Sequence, residues 1–130
     1  MARSDPGPAE RRILILEDDF FVALRLEHLV RAQGYIVVGP VMLVDRALRH
    51  ARHSALDGAL LGANLRGRAV TPVAIALRAR GVPFVLITSR GRPAPREPAL
   101  RGAPRVEKAA IGTALPRVTA QVFGGPRARI

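Results

Sequence analysis

The stretch LDGALLGANLRG, residues 56–67, decides the fold, because it reads as a short buried strand that runs into a glycine-containing loop. The apolar residues at 58–61 are continuous rather than alternating, which is typical of a parallel strand with both faces covered. Similar short runs recur along the chain and alternate with helical patterns. The predicted strands are residues 13–16, 35–38, 58–61, 84–87 and 105–107, and the predicted helices are residues 20–33, 44–53, 69–80 and 113–122.

This alternation predicts an α/β fold with a doubly wound, five-stranded parallel sheet in a three-layer sandwich. Gly39-Pro40 is expected to close the second strand, because proline cannot donate to a sheet ladder. Pro116 is expected in the first turn of the last helix, with Thr113 as its N-cap. One face of the first helix is expected to pack on the sheet through Phe21, Leu24, Leu29 and Val30.

Residues 89–104 interrupt the pattern, since this segment holds four prolines and four arginines. Proline removes backbone donors and restricts the residue before it, so a regular helix is not expected there. The fourth helix of the sandwich is therefore predicted to be poorly formed.

Composition sets the outer limits. A chain of 130 residues with 48% hydrophobic content suits one domain, which we assign to residues 11–124. Residues 1–10 and 125–130 are expected to be a disordered arm and tail. The absence of cysteine excludes disulfides and thiolate chemistry. The sequence has no run of roughly 18 apolar residues, so a membrane span is not expected. The cytoplasm is the default location.

The net charge is +11 and comes from 20 arginines and one lysine. Such a field attracts nucleic acid, anionic lipid or acidic protein surfaces. The arginines are scattered along the whole chain, and aromatic residues are few, so a base-stacking platform is not expected. Nucleic-acid or other polyanion binding is the alternative function.

Polar residues stand where three of the predicted strands end. Glu17, Asp18 and Asp19 follow the first strand, Thr88 the fourth, and Lys108 the fifth, and Gly62 holds the matching position after the third. The carboxyl ends of parallel strands meet at one edge of the sheet, where doubly wound folds place their ligand site.

The order of these features along the chain is an acid cluster, a strand-end acceptor position, a hydroxyl and a lysine. This order resembles that of the receiver domain of two-component response regulators, over about residues 12–123. The resemblance is strongest to a group of single-domain receivers, through GYIVVGP at 34–40, PFVLIT at 83–88, Asn64-Leu65 and Gly67. It implies a flavodoxin-like fold and a place in a bacterial phosphorelay.

In this family, an acidic pair holds Mg²⁺, and Glu17 and Asp18 match that pair. A backbone carbonyl that completes the metal site matches Asn64. The phosphoacceptor aspartate falls at Gly62, which has no side chain. The resemblance therefore implies no cofactor beyond a weak or vestigial Mg²⁺ site, with a structural Glu17–Lys108 ion pair as the alternative.

Residues that contact the phosphoryl group in the family match Thr88 and Lys108, which are vestigial without an acceptor. The aromatic residue that family members often use as a switch is replaced by Val106. Asp57 lies five residues before Gly62 and is expected well over 10 Å away, so it is not a substitute nucleophile.

The function implied is a degenerate receiver that acts by phosphorylation-independent protein–protein interaction and is not an enzyme. The expected partners are a histidine kinase, a phosphotransfer protein or another receiver, and the oligomeric state, including a homodimer, is open. The candidate partner-binding residues are Arg90, Arg92, Arg96, Arg101 and Arg105.

Overall fold

The structure is a computed structural model, and it describes residues 11–65, 67–93 and 95–124. The predicted arm at 1–10 and tail at 125–130 lie outside these residues. The strands are β1 Arg12–Leu16, β2 Ile36–Val41, β3 Gly58–Gly62, β4 Phe84–Thr88 and β5 Arg105–Glu107. The helices are α1 Phe20–Ala32, α2 Val44–His53, α3 Thr71–Ala79 and α4 Ile111–Phe123, with a 3₁₀ turn at Lys108–Ala110 before α4.

The five strands form one parallel sheet in the order β2-β1-β3-β4-β5. This order defines the flavodoxin-like doubly wound fold, so the predicted fold class is confirmed. The three central strands are apolar along most of their length because both of their faces are covered. The edge strands β2 and β5 are more exposed, since each has a neighbour on one side only.

Alternate residues of the central strands face two separate hydrophobic cores. Leu14 and Leu16 pack with α2 and α3 on one face of the sheet, and Ile13 and Ile15 pack with α1 and α4 on the other. This division follows from the two-residue period of a strand. The carboxyl edge of the sheet, where the polar residues gather, lies between the two helical layers.

Of two expectations for the first half of the chain, the end of β2 was wrong, and the buried face of α1 was right only for Val30 and the partly buried Leu29. β2 does not close at Gly39-Pro40 but continues through them to Val41, with a register shift against β1 between Leu14 and Leu16. Proline is tolerated there because β2 is an edge strand. The buried face of α1 is Ala23, Leu26 and Val30, whereas Phe21 is 79% exposed and Leu24 is 51% exposed.

The second half matches the prediction more closely. The described residues of segment 89–104 contain no α-helix, and its most ordered part is one turn closed by the Arg101 amide donating to the Glu97 carbonyl. The start of α4 was predicted wrongly. The helix begins at Ile111, its N-cap is Ala110, and Pro116 lies inside it. The Thr113 hydroxyl donates to the Ala110 carbonyl instead of capping the helix.

Candidate functional site

Glu17 is the buried centre of the carboxyl edge. It directly follows β1, and its side chain is 1% exposed. One carboxylate oxygen, Oε2, accepts a hydrogen bond from the Asp19 amide at 2.9 Å and lies 3.5 Å from the Lys108 ammonium nitrogen. The other oxygen, Oε1, is buried and has no hydrogen-bond partner. The predicted alternative of a Glu17–Lys108 ion pair is therefore present in the structure.

The pKa of Glu17 is raised above its ordinary value of 4.5, chiefly because burial disfavours the ionised form. The Asp19 amide and the Lys108 ammonium lower the pKa, and the neighbouring Asp18 raises it. Burial outweighs the two stabilising contacts. An ionised Glu17 is thus costly in the folded protein, although it has a cationic partner.

Gly62 ends β3 directly beneath this carboxylate. A Cβ atom placed at Gly62 would lie 2.9 Å from Glu17 Oε1 and 3.1 Å from Leu65 Cδ2. The first distance is shorter than real Cβ contacts, so any side chain at position 62 requires Glu17 to move. The unpartnered oxygen of Glu17 fills the space in which a larger residue at position 62 would begin.

Two further acids serve structural roles. Asp19 is the N-cap of α1, and its Oδ1 accepts hydrogen bonds from the amides of Phe21 and Val22. An acid just before a helical pattern is the sequence signal for such a cap. Asp57 accepts a hydrogen bond from the Arg12 amide at 2.8 Å, before β3 begins and thus at the opposite edge of the sheet.

Asn64 and Thr88 line a common cavity, and its described lining includes neither Glu17 nor Lys108. Thr88 is 4% exposed and ends β4. The amide nitrogen Nδ2 of Asn64 is buried and has no hydrogen-bond partner. The vestigial residues predicted from the sequence therefore divide into two groups, with Lys108 bound to Glu17 and Thr88 facing the cavity with Asn64.

A weak Mg²⁺ site at Glu17, Asp18 and Asn64 remains a prediction from the resemblance. Mg²⁺ needs oxygen ligands in near-octahedral geometry and usually takes one or two carboxylates with several waters. Among the described residues, no group of three or more histidines, aspartates or glutamates is placed to hold a metal ion. Glu17 and Asp18 would supply two carboxylates to such a site, and the Lys108 ammonium already lies against Glu17.

The five arginines predicted to bind partners are all exposed. Arg90, Arg92, Arg96 and Arg101 lie in segment 89–104, and Arg105 begins β5. The Arg101 guanidinium donates to the Arg96 carbonyl, a contact within the segment.

Arginines elsewhere hold the fold together, which the sequence analysis missed. Arg12 donates to the Ala55 carbonyl, Arg78 to the carbonyls of Ala99 and Arg101, and Arg80 to the Ala51 carbonyl. The planar guanidinium presents five donors, so one side chain can satisfy several loop carbonyls. Part of the +11 charge is therefore explained by loop anchoring.

No helix in the described part of the chain has the length and apolar character that a membrane crossing requires.

Solved structures similar to this chain include receiver domains and response regulators. The BeF3-activated conformation of SdrG from Pseudomonas melonis Fr1 is 35% identical, with a TM-score of 0.65, over 82% of this chain and 94% of that one. The receiver domain of sensor histidine kinase PA1611 from Pseudomonas aeruginosa PAO1, with magnesium in its active-site cleft, is 24% identical, with a TM-score of 0.74, over 88% and 98%. Response regulator TrrA from Thermotoga maritima, in complex with Mg²⁺ and BeF, is 18% identical, with a TM-score of 0.74, over 86% and 98%.

No protein-family model matches the chain, and no curated protein matches it. The strand order, the polar carboxyl edge and these similarities agree, and the chain belongs to the receiver domains of two-component response regulators.

Proposed function

We propose that this receiver domain acts in two-component signalling through protein–protein contacts that do not require phosphorylation at position 62. One observation carries the proposal. Gly62 has no carboxylate, and Glu17 Oε1 lies 2.9 Å from the position of its missing Cβ. Covalent phosphoryl transfer needs a nucleophile, and a carboxylate that is already held by an ion pair fills the space next to Gly62.

Three of the other described acids are poor substitutes for an acceptor. Glu17 is held by the Asp19 amide and Lys108, Asp19 caps α1, and Asp57 lies at the opposite edge. These contacts support a domain that is not an enzyme. They also support a carboxyl edge whose negative charge is balanced by Lys108 rather than set by a phosphoryl group.

Segment 89–104 is the surface proposed to contact partners. Its described residues form turns instead of an α-helix, and four of its side chains are exposed arginines. Exposed positive charge steers the approach of an acidic surface and selects against basic ones. The proposed partners are a histidine kinase, a phosphotransfer protein or another receiver in the cytoplasm. The other receiver includes a second copy of this chain, which would form a homodimer.

The chemical half of the proposal is tested with acetyl phosphate and Mg²⁺, using intact mass as the readout. The natural chain is expected to stay unmodified, and Gly62→Asp, with the acceptor restored, is the positive control. A labile gain of about 80 Da on the natural chain would overturn the proposal.

The binding half is tested with purified kinases, phosphotransfer proteins and receivers of the source organism. One variant changes Arg90, Arg92, Arg96 and Arg101 to glutamine. The matched control also removes four charges, from α2 and α4, as R46Q, R49Q, R52Q and R117Q. We expect the first variant alone to lose binding, with the Kd of the natural chain unaffected by acetyl phosphate. Equal losses in both variants would instead indicate general polyanion attraction.

A further inference from the structure

A cavity of about 490 Å³ opens beside segment 89–104. Its walls are the loop after β3, the N-terminal end of α3 and the segment itself. This volume lies within the roughly 300–1,000 Å³ that small-molecule sites occupy. The space is concave, so it suits a compact ligand better than an extended polymer.

The cavity is lined by three arginines and one acid. They are Arg68, Arg92, Arg96 and Glu97, which leaves a net charge of +2 in the lining. The Arg68 nitrogen Nη2 lies 3.2 Å from the Asp45 oxygen Oδ1. Both side chains are mostly exposed, so this ion pair is weak. Within the described residues, the guanidinium groups of Arg92 and Arg96 are in no ion pair.

Two neutral polar residues also line the cavity. They are Asn64, whose amide nitrogen is buried and has no hydrogen-bond partner, and the nearly buried Thr88. A buried donor without a partner is costly, and rotation of the Asn64 side chain into the cavity would let an anionic ligand accept its hydrogen bond. In addition, Val70 and Thr71 at the start of α3 line the cavity, and a helix N-terminus carries a partial positive charge.

We propose that this cavity binds a phosphate monoester of a small, non-aromatic molecule. A phosphate monoester carries about −1.5 to −2 charge at pH 7, which matches the lining, and arginine binds its oxygens in bidentate geometry. Val70, Pro93 and Leu100 offer an apolar wall to the organic part. No aromatic residue lies among the described lining residues, so a nucleobase would find no stacking partner.

The proposal does not depend on Gly62, which lies outside the lining. The ligand of the cavity binds without a covalent bond. Failure of ligand binding would therefore leave the proposed phosphorylation-independent signalling untouched, and failure of the signalling proposal would leave the cavity to its own experiment.

Titration calorimetry of the full chain with inorganic phosphate and with glycerol 3-phosphate tests the site. We expect saturable binding of one ligand per chain, with glycerol 3-phosphate the tighter of the two. R92Q and R96Q are each expected to weaken binding about tenfold or more, because each removes a charge-assisted hydrogen bond. The matched control is R117Q, on α4 behind the opposite face of the sheet, which should change the affinity by less than about twofold, because distant charges are screened.

The variant N64L separates a specific site from attraction by charge alone. It leaves the net charge unchanged but removes the unpartnered amide, and we expect it to weaken binding by about tenfold. The side-chain amide signals of Asn64 should also shift on titration with glycerol 3-phosphate in NMR spectra of the natural chain. The proposal is overturned by non-saturable binding, by an equal loss in R117Q, or by unchanged affinity in N64L. Thermal unfolding of each variant, expected near the natural midpoint, verifies that the fold is intact.

Discussion

Restoring a carboxylate at position 62 is the sharpest perturbation of this domain. In Gly62→Asp, the new Cβ starts 2.9 Å from Glu17 Oε1, and Glu17 is buried. The two carboxylates would then lie about 4 Å apart, where unit charges repel by about 4 kcal/mol at an effective dielectric constant of about 20. Protonation of one member of the pair and the Lys108 ammonium both reduce this cost.

Gly62→Asn is the matched control, since asparagine has nearly the same shape and no charge. Both variants must push Glu17 aside, so steric cost cancels in their comparison. Without divalent cations and near pH 7, we expect Gly62→Asp to be less stable than Gly62→Asn by about 2–3 kcal/mol. The gap should narrow as the pH falls to about 5, because protonation removes the repulsion.

Urea unfolding followed by circular dichroism measures both differences. Adding Mg²⁺ should stabilise Gly62→Asp selectively, because three carboxylates then face one cation. The gain is about 2.7 kcal/mol at a concentration 100 times the Kd. The reasoning would be refuted if the two variants were equally stable without Mg²⁺ across the pH range. That result would mean that no ionised Glu17 carboxylate lies next to position 62.

Two other substitutions test the electrostatics and packing of the fold. Folding raises the pKa of Glu17, so the native state favours the protonated form more than the unfolded chain does. The stability of the fold should therefore fall as the pH rises from 4.5 through the folded pKa. Glu17→Gln should remove this decline in pH-dependent urea unfolding, and a parallel pH profile in natural and variant chains would contradict the assignment. A Cβ at Gly58 would overlap the ring of Phe123, so Gly58→Ala should lower stability by about 1–3 kcal/mol. Adding Phe123→Leu should recover part of the loss, and simple additivity of the two changes would argue against the contact.

Sequence reasoning reached most of the fold because the signals were local. Continuous apolar runs predicted five parallel strands, and four prolines predicted that residues 89–104 would not form a helix. It failed for α1, where apolar residues occupy both faces of the helix. Phe21 and Leu24 are more hydrophobic than Ala23, yet Ala23 is the residue that faces the sheet. Burial there is set by how the helix sits on the sheet and not by hydrophobicity.

By itself, the sequence determined which polar residues would share the carboxyl edge, because parallel strands align their ends whatever their side chains do. It also determined that position 62 carries no nucleophile. Only the tertiary structure decided that Glu17 turns its unpartnered oxygen towards Gly62 and pairs with Lys108 from the other end of the chain. The cavity beside Arg92 and Arg96 likewise depends on the path of two loops. Such contacts join residues far apart in the chain, and their geometry is set by packing, which no local pattern encodes.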